Sequence, residues 1–214
     1  MLQNNIDAYN ESAESFDKKI ASLTNYDDAY TVFASYLKPG DDVLDTACGP
    51  GNISRFLDKK VSELNFTMMD LSLEMLKISK WYLPNAEILC NDICSFSLGN
   101  KFDAVINGFG LPYLSPEEAC RHFEVVYSHL KNGGIYYLSF MNVNEKNHPD
   151  EKFYTQTEHP SFNPASTITV TYHSQNVIEE QLKEKGFSLL HKWNLDYKEP
   201  DGSVTTDVVL ILKK

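Results

Sequence analysis

The sequence predicts an α/β domain: a mostly parallel, seven-stranded sheet with helices on both faces, a helical segment before it and an insertion late in the chain. From residue 42 onward, short apolar runs alternate with helix-period stretches. A glycine-rich turn follows the first of those runs. The last two runs are joined by too few residues for a parallel crossover, so they form an antiparallel hairpin.

Ile6, Tyr9, Ala13, Phe16 and Ile20 recur at helical spacing, as do Tyr26, Tyr30, Phe33, Ala34 and Leu37, so two amphipathic helices precede the break at Pro39-Gly40. Strands are expected at 42–46, 65–70, 86–91, 102–108 and 134–140, all rich in apolar or β-forming residues. Ser72 caps a helix through Leu73, Leu76 and Trp81. Ser115, Pro116 and Glu118 form a capping box with proline at the first helical position. The helix they open is expected to run to Lys131, with Ala119, Phe123, Val126 and Leu130 toward the sheet and Gly133 closing it in the left-handed conformation. Ser174 opens a further helix, striped by Val177, Ile178 and Leu182 and ended by Gly186. The runs 187–197 and 204–212, joined by Glu199-Pro200-Asp201-Gly202, are the edge hairpin. Residues 142–171 contain Pro149, Pro160 and Pro164, lack strong periodicity and are too long for an ordinary connection, which predicts a lid or binding insertion. The chain is therefore read as one domain, 1–214, with a helical cap at 1–38 and a lid at 142–171.

Composition removes several function classes. Nineteen Lys and Arg stand against 30 Asp and Glu, a formal charge of −11, and no basic run exceeds two residues. A phosphate backbone meets net repulsion from such a chain, so no nucleic-acid partner is expected. The segment MLQNNIDAYN lacks the basic start and apolar stretch of a secretory signal, and no apolar run is long enough to span a bilayer, so no membrane partner and a cytoplasmic location are expected. Cys48, Cys90, Cys94 and Cys120 show neither a CxxC pair nor zinc spacing, which predicts reduced thiols and no metal site. The expected assembly is a monomer or a homodimer.

Residues 43–52, VLDTACGPGN, place Gly49 and Gly51 where the first strand turns into a helix, so a ligand can approach bare backbone there. Asp70 follows Gly51 by 19 positions, the spacing at which an adjacent parallel strand offers a carboxylate to both ribose hydroxyls. A nicotinamide enzyme shares both features. However, Ser54 occupies the position that a close-packing Gly or Ala takes in the dinucleotide fingerprint. Asp45 at the strand end would repel a pyrophosphate and suit a ligand bearing an amino group and a sulfonium. The balance favours a cationic nucleoside.

At these motifs the chain resembles the class I S-adenosylmethionine-dependent methyltransferases, in particular the small-molecule group related to the ubiquinone-biosynthesis type. VLDTACGPGN resembles the family's first motif, and MMDLSLEML at 68–76 its second. CNDI at 90–93, FDAVINGFGLPYLS at 102–115 and LKNGGIYYLSF at 130–140 resemble the later ones in order, and YNESAESFDKK at 9–19 resembles its amino-terminal segment. The resemblance implies a Rossmann-like sheet with one antiparallel strand and S-adenosyl-L-methionine as cofactor. It assigns Asp70 to the ribose, Leu71 to the adenine, Asp92 with the backbone of Ile93 to the adenine's amino edge, and Met75 to the cofactor site. It also places Ala47, Cys48, Gly49, Gly51 and Asp45 around the cofactor, beneath a cover that contains Tyr9 and Phe16.

Methyl transfer from a sulfonium is an in-line displacement with a neutral leaving group, so alignment of the nucleophile can supply roughly 7–11 kcal/mol and a general base is optional. The base candidates are Tyr113, His148, His159 and His173, with Tyr113 foremost because it directly follows the fourth strand. Tyr9 and Phe16 offer the sulfonium cation–π attraction of about 0.5–2 kcal/mol. Asn107 is expected to hold the cofactor's amino group through its backbone carbonyl and to sit at the reacting centre. Cys48 reads as a small buried filler. The acceptor is expected to be a small molecule. The competing readings are a nicotinamide-dependent oxidoreductase and a non-catalytic S-adenosylmethionine-binding protein.

Overall fold

The computed structural model describes residues 2–143, 151–158, 160, 163–198 and 204–214. Two helices, α1 (Leu2–Ile20) and α2 (Asp27–Ala34), precede β1 (Asp42–Thr46). There follow α3 (Asn52–Lys60), β2 (Asn65–Asp70), α4 (Leu73–Tyr82), β3 (Glu87–Cys90) and β4 (Phe102–Gly108). A 3-10 turn (Leu111–Tyr113) leads into α5 (Pro116–His129) and β5 (Leu130–Met141). The remainder is β6 (Phe153–Glu158), β7 (Ile168–His173), α6 (Gln175–Glu184), β8 (Ser188–Lys198) and β9 (Val204–Lys213).

Seven strands form one sheet in the order β3-β2-β1-β4-β5-β9-β8. The pairs among β1 to β5 are parallel, and β9 is antiparallel to both neighbours, so it is the one reversed strand of the sheet. The hairpin turn expected at 199–202 lies outside the described residues, as do Pro149, His148 and His159. Because both faces are covered, successive strand residues are apolar rather than alternating with polar ones. Val43, Met68, Ile106 and Tyr137 join α2 and α3 residues such as Phe33 and Leu57 in one cluster. Leu44, Met69, Val105 and Tyr136 join Phe123 and Val126 of α5 and Ile178 of α6 in the other. Each such buried side chain contributes about 1.5–3 kcal/mol.

The capping signals take the expected form at two helices. Ser115 accepts from the Glu118 N–H at 3.3 Å while Glu118 accepts from the Ser115 N–H at 2.8 Å. Ser72 accepts from the Met75 N–H at 3.2 Å. Ser174 occupies the cap position of α6 without a side-chain cap bond. On α4 the buried residues are Met75, Leu76 and Ser79, whereas Leu73 and Trp81 are exposed.

Two expectations need correction. α5 stops at His129, not Lys131, because Leu130 turns extended and pairs with Phe102 of β4. Lys131 instead reaches across to Asp103 and Asp42, at 2.6 and 3.1 Å, and Gly133, with φ +79°, lies within β5 near the register shift against β4. The insertion is also not irregular throughout, because β6 and β7 pair antiparallel as a second, two-stranded sheet. Ile168, Val170 and Tyr172 of β7 pack with Ala8 of α1 and Val143 in a third cluster. Asn5, buried on α1, acts as a clasp: its Nδ2 donates to the Thr169 carbonyl at 2.9 Å and its Oδ1 accepts from the Thr169 N–H at 2.8 Å.

Asn5→Ala leaves both backbone groups of Thr169 without this partner. The expected result in denaturant unfolding is a loss of about 1–3 kcal/mol, with faster amide hydrogen exchange at Thr169.

Candidate functional site

The chain leaves β1 toward β2 on one side and β4 on the other, so the carboxyl ends of these strands diverge at a topological switch point, where open α/β sheets bind ligands. A cleft of about 1260 Å³ lies there. Its walls include Ala47, Cys48, Gly49, Asp70, Leu71, Met75, Asp92 and Ile93 from the ends of β1 to β3. Tyr9, Phe16 and Tyr113 also line it. Ligand pockets commonly occupy about 300–1,000 Å³, so the space admits two small molecules side by side.

The turn after β1 is built from left-handed residues. Ala47, Gly49 and Gly51 have φ of 54°, 54° and 83°, and only at Ala47 does a side chain carry the strain, which costs about 1–3 kcal/mol. The turn is held by Cys48 N–H donating to the Met69 carbonyl at 2.9 Å and Gly49 N–H donating to Asp70 Oδ2 at 2.8 Å. Asp70 Oδ1 accepts from the Ser72 N–H at 2.8 Å, so one carboxylate fixes the ends of two loops. Each oxygen retains a lone pair for a hydroxyl donor. Burial raises the Asp70 carboxyl above its ordinary range, opposed by these backbone N–H groups.

α1 roofs the cleft. Asn10 accepts from Ser72 Oγ at 2.7 Å, and Asp17 pairs with Arg55 of α3 at 2.7 Å, whose guanidinium lies 3.3 Å over the Tyr82 ring of α4. Tyr9 meets Phe16 and Tyr113 edge-on at centroid distances of 5.3 and 5.6 Å, and its hydroxyl is hydrogen-bonded to that of Tyr113. Burial pushes the Tyr113 hydroxyl up to about 12, with Glu158 and Asp70 adding to the rise and the Tyr9 bond opposing it. Burial likewise pushes the Cys48 thiol well up, which agrees with a filler. His173 turns away from the cleft: it is buried, and its Nε2 pairs with the Leu111 carbonyl at 3.1 Å.

Three expected ligand contacts lie behind the wall instead. Asp45 is 2% exposed and accepts from Ser54 Oγ at 2.6 Å. Burial pushes its carboxyl up to about 7, against the Ser54 bond and with Asp70 adding, so near neutral pH much of its charge is titrated away. A Cβ at Gly51 would lie 3.2 Å from Met68 Cε, so this glycine serves close packing of helix on sheet. Asn107 is fully buried and belongs to a polar network. Its Oδ1 accepts from the Gly110 N–H at 2.9 Å, and its Nδ2 faces His122 Nε2 at 3.0 Å and Thr46 Oγ1 at 3.3 Å.

His122 was not singled out in the sequence, yet it ties the site together. Its Nδ1 lies 3.0 Å from the Ile93 carbonyl, which only accepts, so Nδ1 carries the hydrogen and Nε2 accepts from Asn107. Burial lowers His122 to about 4, opposed by the Ile93 bond and Asp92. Other walls absent from the sequence reading are Tyr26, Phe109, Glu158 and Asp207. The alternation of Ile168, Val170 and Tyr172 was the signal that could have revealed the β6–β7 wall.

Because the unfolded chain takes up a proton on His122 near pH 6.5 and the folded chain only near 4, this residue's contribution to stability is lost as pH falls through that window. The unfolding free energy of the wild type relative to His122→Gln should therefore drop by about 3 kcal/mol between pH 7 and 4. A pH-independent difference would show that the imidazole is not held neutral.

Residues 43–134, which span the glycine turn, Asp70, Asp92 and His122, match the family described as "Methyltransferase domain". A demethylmenaquinone methyltransferase of Thermotoga maritima is 26% identical over 164 residues, covering 70% of this chain and 71% of that protein. A ubiquinone/menaquinone biosynthesis C-methyltransferase of Stenotrophomonas maltophilia is 33% identical over 113 residues, covering 49% and 44%. The chain spans less than half the length of several of the curated relatives it matches. A solved S-adenosylmethionine-dependent methyltransferase of Clostridium acetobutylicum shares the fold, with a TM-score of 0.70 and 20% identity over 96% of this chain and 98% of that one. Strand order, the one reversed strand, the switch-point cleft and the matched segment agree: the chain has the fold of the class I S-adenosylmethionine-dependent methyltransferases and is similar to them over residues 43–134.

Proposed function

We propose that this chain transfers a methyl group from S-adenosyl-L-methionine to a small-molecule acceptor in the cytoplasm. The observation that carries the reading is the Asp70 carboxylate, held at the cleft by the Gly49 and Ser72 N–H groups at 2.8 Å. A carboxylate there repels a phosphate, whereas a ribose diol finds two acceptors. The walls fit the rest of a nucleoside: Leu71, Met75 and Ile93 are apolar, and Asp92 offers an acceptor. Ala47, Cys48 and Gly49 present backbone, and Phe16 Cε1 lies 3.9 Å from where a Gly49 Cβ would stand. The nicotinamide reading is disfavoured, since the buried Ser54 is bonded to Asp45 where a dinucleotide fold packs a bare glycine.

S-adenosylmethionine, when bound, supplies a methyl group on a positively charged sulfur. Tyr9, Phe16 and Tyr113 turn aromatic surface toward the cleft, where they exclude water and favour positive charge. Tyr113 keeps its proton through the neutral range, so it positions by hydrogen bonding rather than by taking a proton. Asn107 and His122 act from behind the wall by fixing Gly110 and Ile93. The described residues within 1–38 serve as the cap, and those within 142–171 as the lid on the acceptor half.

S-adenosylhomocysteine at about a hundred times its dissociation constant stabilises by roughly 2.7 kcal/mol and should raise the melting midpoint by about 5–11 °C, with no shift from NADH. Asp70→Ala should abolish that shift. The reverse ligand pattern would sink the reading. Tyr113→Phe should slow turnover without moving any inflection of the pH–rate profile below pH 9, and loss of such an inflection would reinstate it as the base.

A further inference from the structure

We infer that the acceptor is a primary or secondary amine on an apolar body, recognised by the Glu158 carboxylate among Tyr9, Tyr113, Tyr154 and Tyr172; this rests on the methyl-transfer reading above. Among the described cleft residues, Lys19 is the one lysine or arginine, whereas Asp70, Asp92, Glu118, Glu158 and Asp207 contribute five carboxyl groups. Lys19 sits ten residues beyond Tyr9 on α1, about 15 Å along the helix at 1.5 Å per residue. Among the described residues, an anionic acceptor therefore finds no lysine or arginine on the stretch of α1 beside Tyr9.

The carboxylates are not equivalent. Asp70 and Asp92 belong to the nucleoside half. Glu118 closes the capping box at 2.8 Å, and Asp207 accepts from the Tyr26 hydroxyl at 2.6 Å. Glu158 ends β6 on the lid side, where Gln156 Nε2 donates to it at 3.3 Å. Its charge contributes to the raised tyrosine hydroxyls of Tyr9, Tyr113 and Tyr154, so all three lie within its electrostatic reach. Tyr154 and Tyr172 stack with centroids 4.5 Å apart and planes within 5°, a rigid aromatic face on the same wall. A carboxylate set among aromatic faces favours a cation over its neutral or anionic isostere.

The step balances without any further reactant. The bound ammonium first gives one proton to water, and the freed nitrogen lone pair then forms the N–C bond. The C–S bond breaks with its electron pair passing to sulfur. The products are a methylammonium cation and a neutral thioether.

The test uses the full-length protein with S-adenosylhomocysteine for binding and S-adenosylmethionine for turnover. Benzylamine, phenethylamine and their N-methyl derivatives are compared with the matching alcohols and carboxylates. The expected result is that amines alone raise the melting midpoint of the S-adenosylhomocysteine-loaded protein and release S-adenosylhomocysteine on turnover. Glu158→Gln should raise the amine KM at least tenfold while the dissociation constant for S-adenosylhomocysteine stays within twofold. Amines that bind no better than alcohols or carboxylates, or an amine KM unmoved by Glu158→Gln, would overturn the inference while cofactor binding stands. Failure of S-adenosylhomocysteine to bind overturns the underlying methyl-transfer reading instead.

Discussion

The loops after β3 and β4 leave the sheet on separate strands, and the imidazole of His122 is where they are tied together. It reaches the Ile93 carbonyl on one side and Asn107 on the other, and Asn107 in turn holds the Gly110 N–H and faces Thr46 at the end of β1. Thr46 completes the chain by donating to the Ile106 carbonyl at 2.7 Å. The Tyr136 hydroxyl also lies 3.1 Å from Nε2, and with a neutral imidazole carrying its hydrogen on Nδ1 both Asn107 and Tyr136 donate to that nitrogen. A charged ring would turn Nε2 into a donor, served by the Tyr136 hydroxyl but opposed to the Asn107 amide N–H. The cleft walls thus depend on a proton being kept out of a buried site that burial already makes hostile to it.

The roof follows a similar logic, with contacts distributed along one helix. Asn5 clasps the β7 backbone, Asn10 meets the cap of α4, and Asp17 engages Arg55. α1 therefore touches the lid with its first turns and the nucleoside half with its later ones. Tyr9 lies between those anchor points, which is why its hydroxyl meets Tyr113 rather than solvent.

Much of this was legible in the sequence because it depends on local chemistry. A glycine turn, a carboxylate at the end of the next strand and the Ser115 capping box are each set by neighbours a few residues away. The side chains of Asn107 and Asp45 lie behind the cleft wall for a common reason. Both stand at strand ends, where the alternation of side chains decides which face each joins, and the partners that claim them, His122 and Ser54, come from helices. The end of α5 was overrun because Leu130 satisfies both the helical stripe and the strand pairing with Phe102. In the insertion, prolines interrupt the pattern around β7, a strand of only six residues with alternating Ile168, Val170 and Tyr172.

The left-handed Ala47 has a consequence for how this strand end can change over generations. A side chain at Gly110 would meet the Ala47 methyl at 2.9 Å and the Asn107 amide at 2.7 Å. Glycine at 47 would relieve both the backbone strain and one of those obstacles, yet 110 would remain closed while Asn107 keeps its place. A side chain at 110 is therefore admissible only after both 47 and 107 have changed, so the order of substitution at this strand end is fixed.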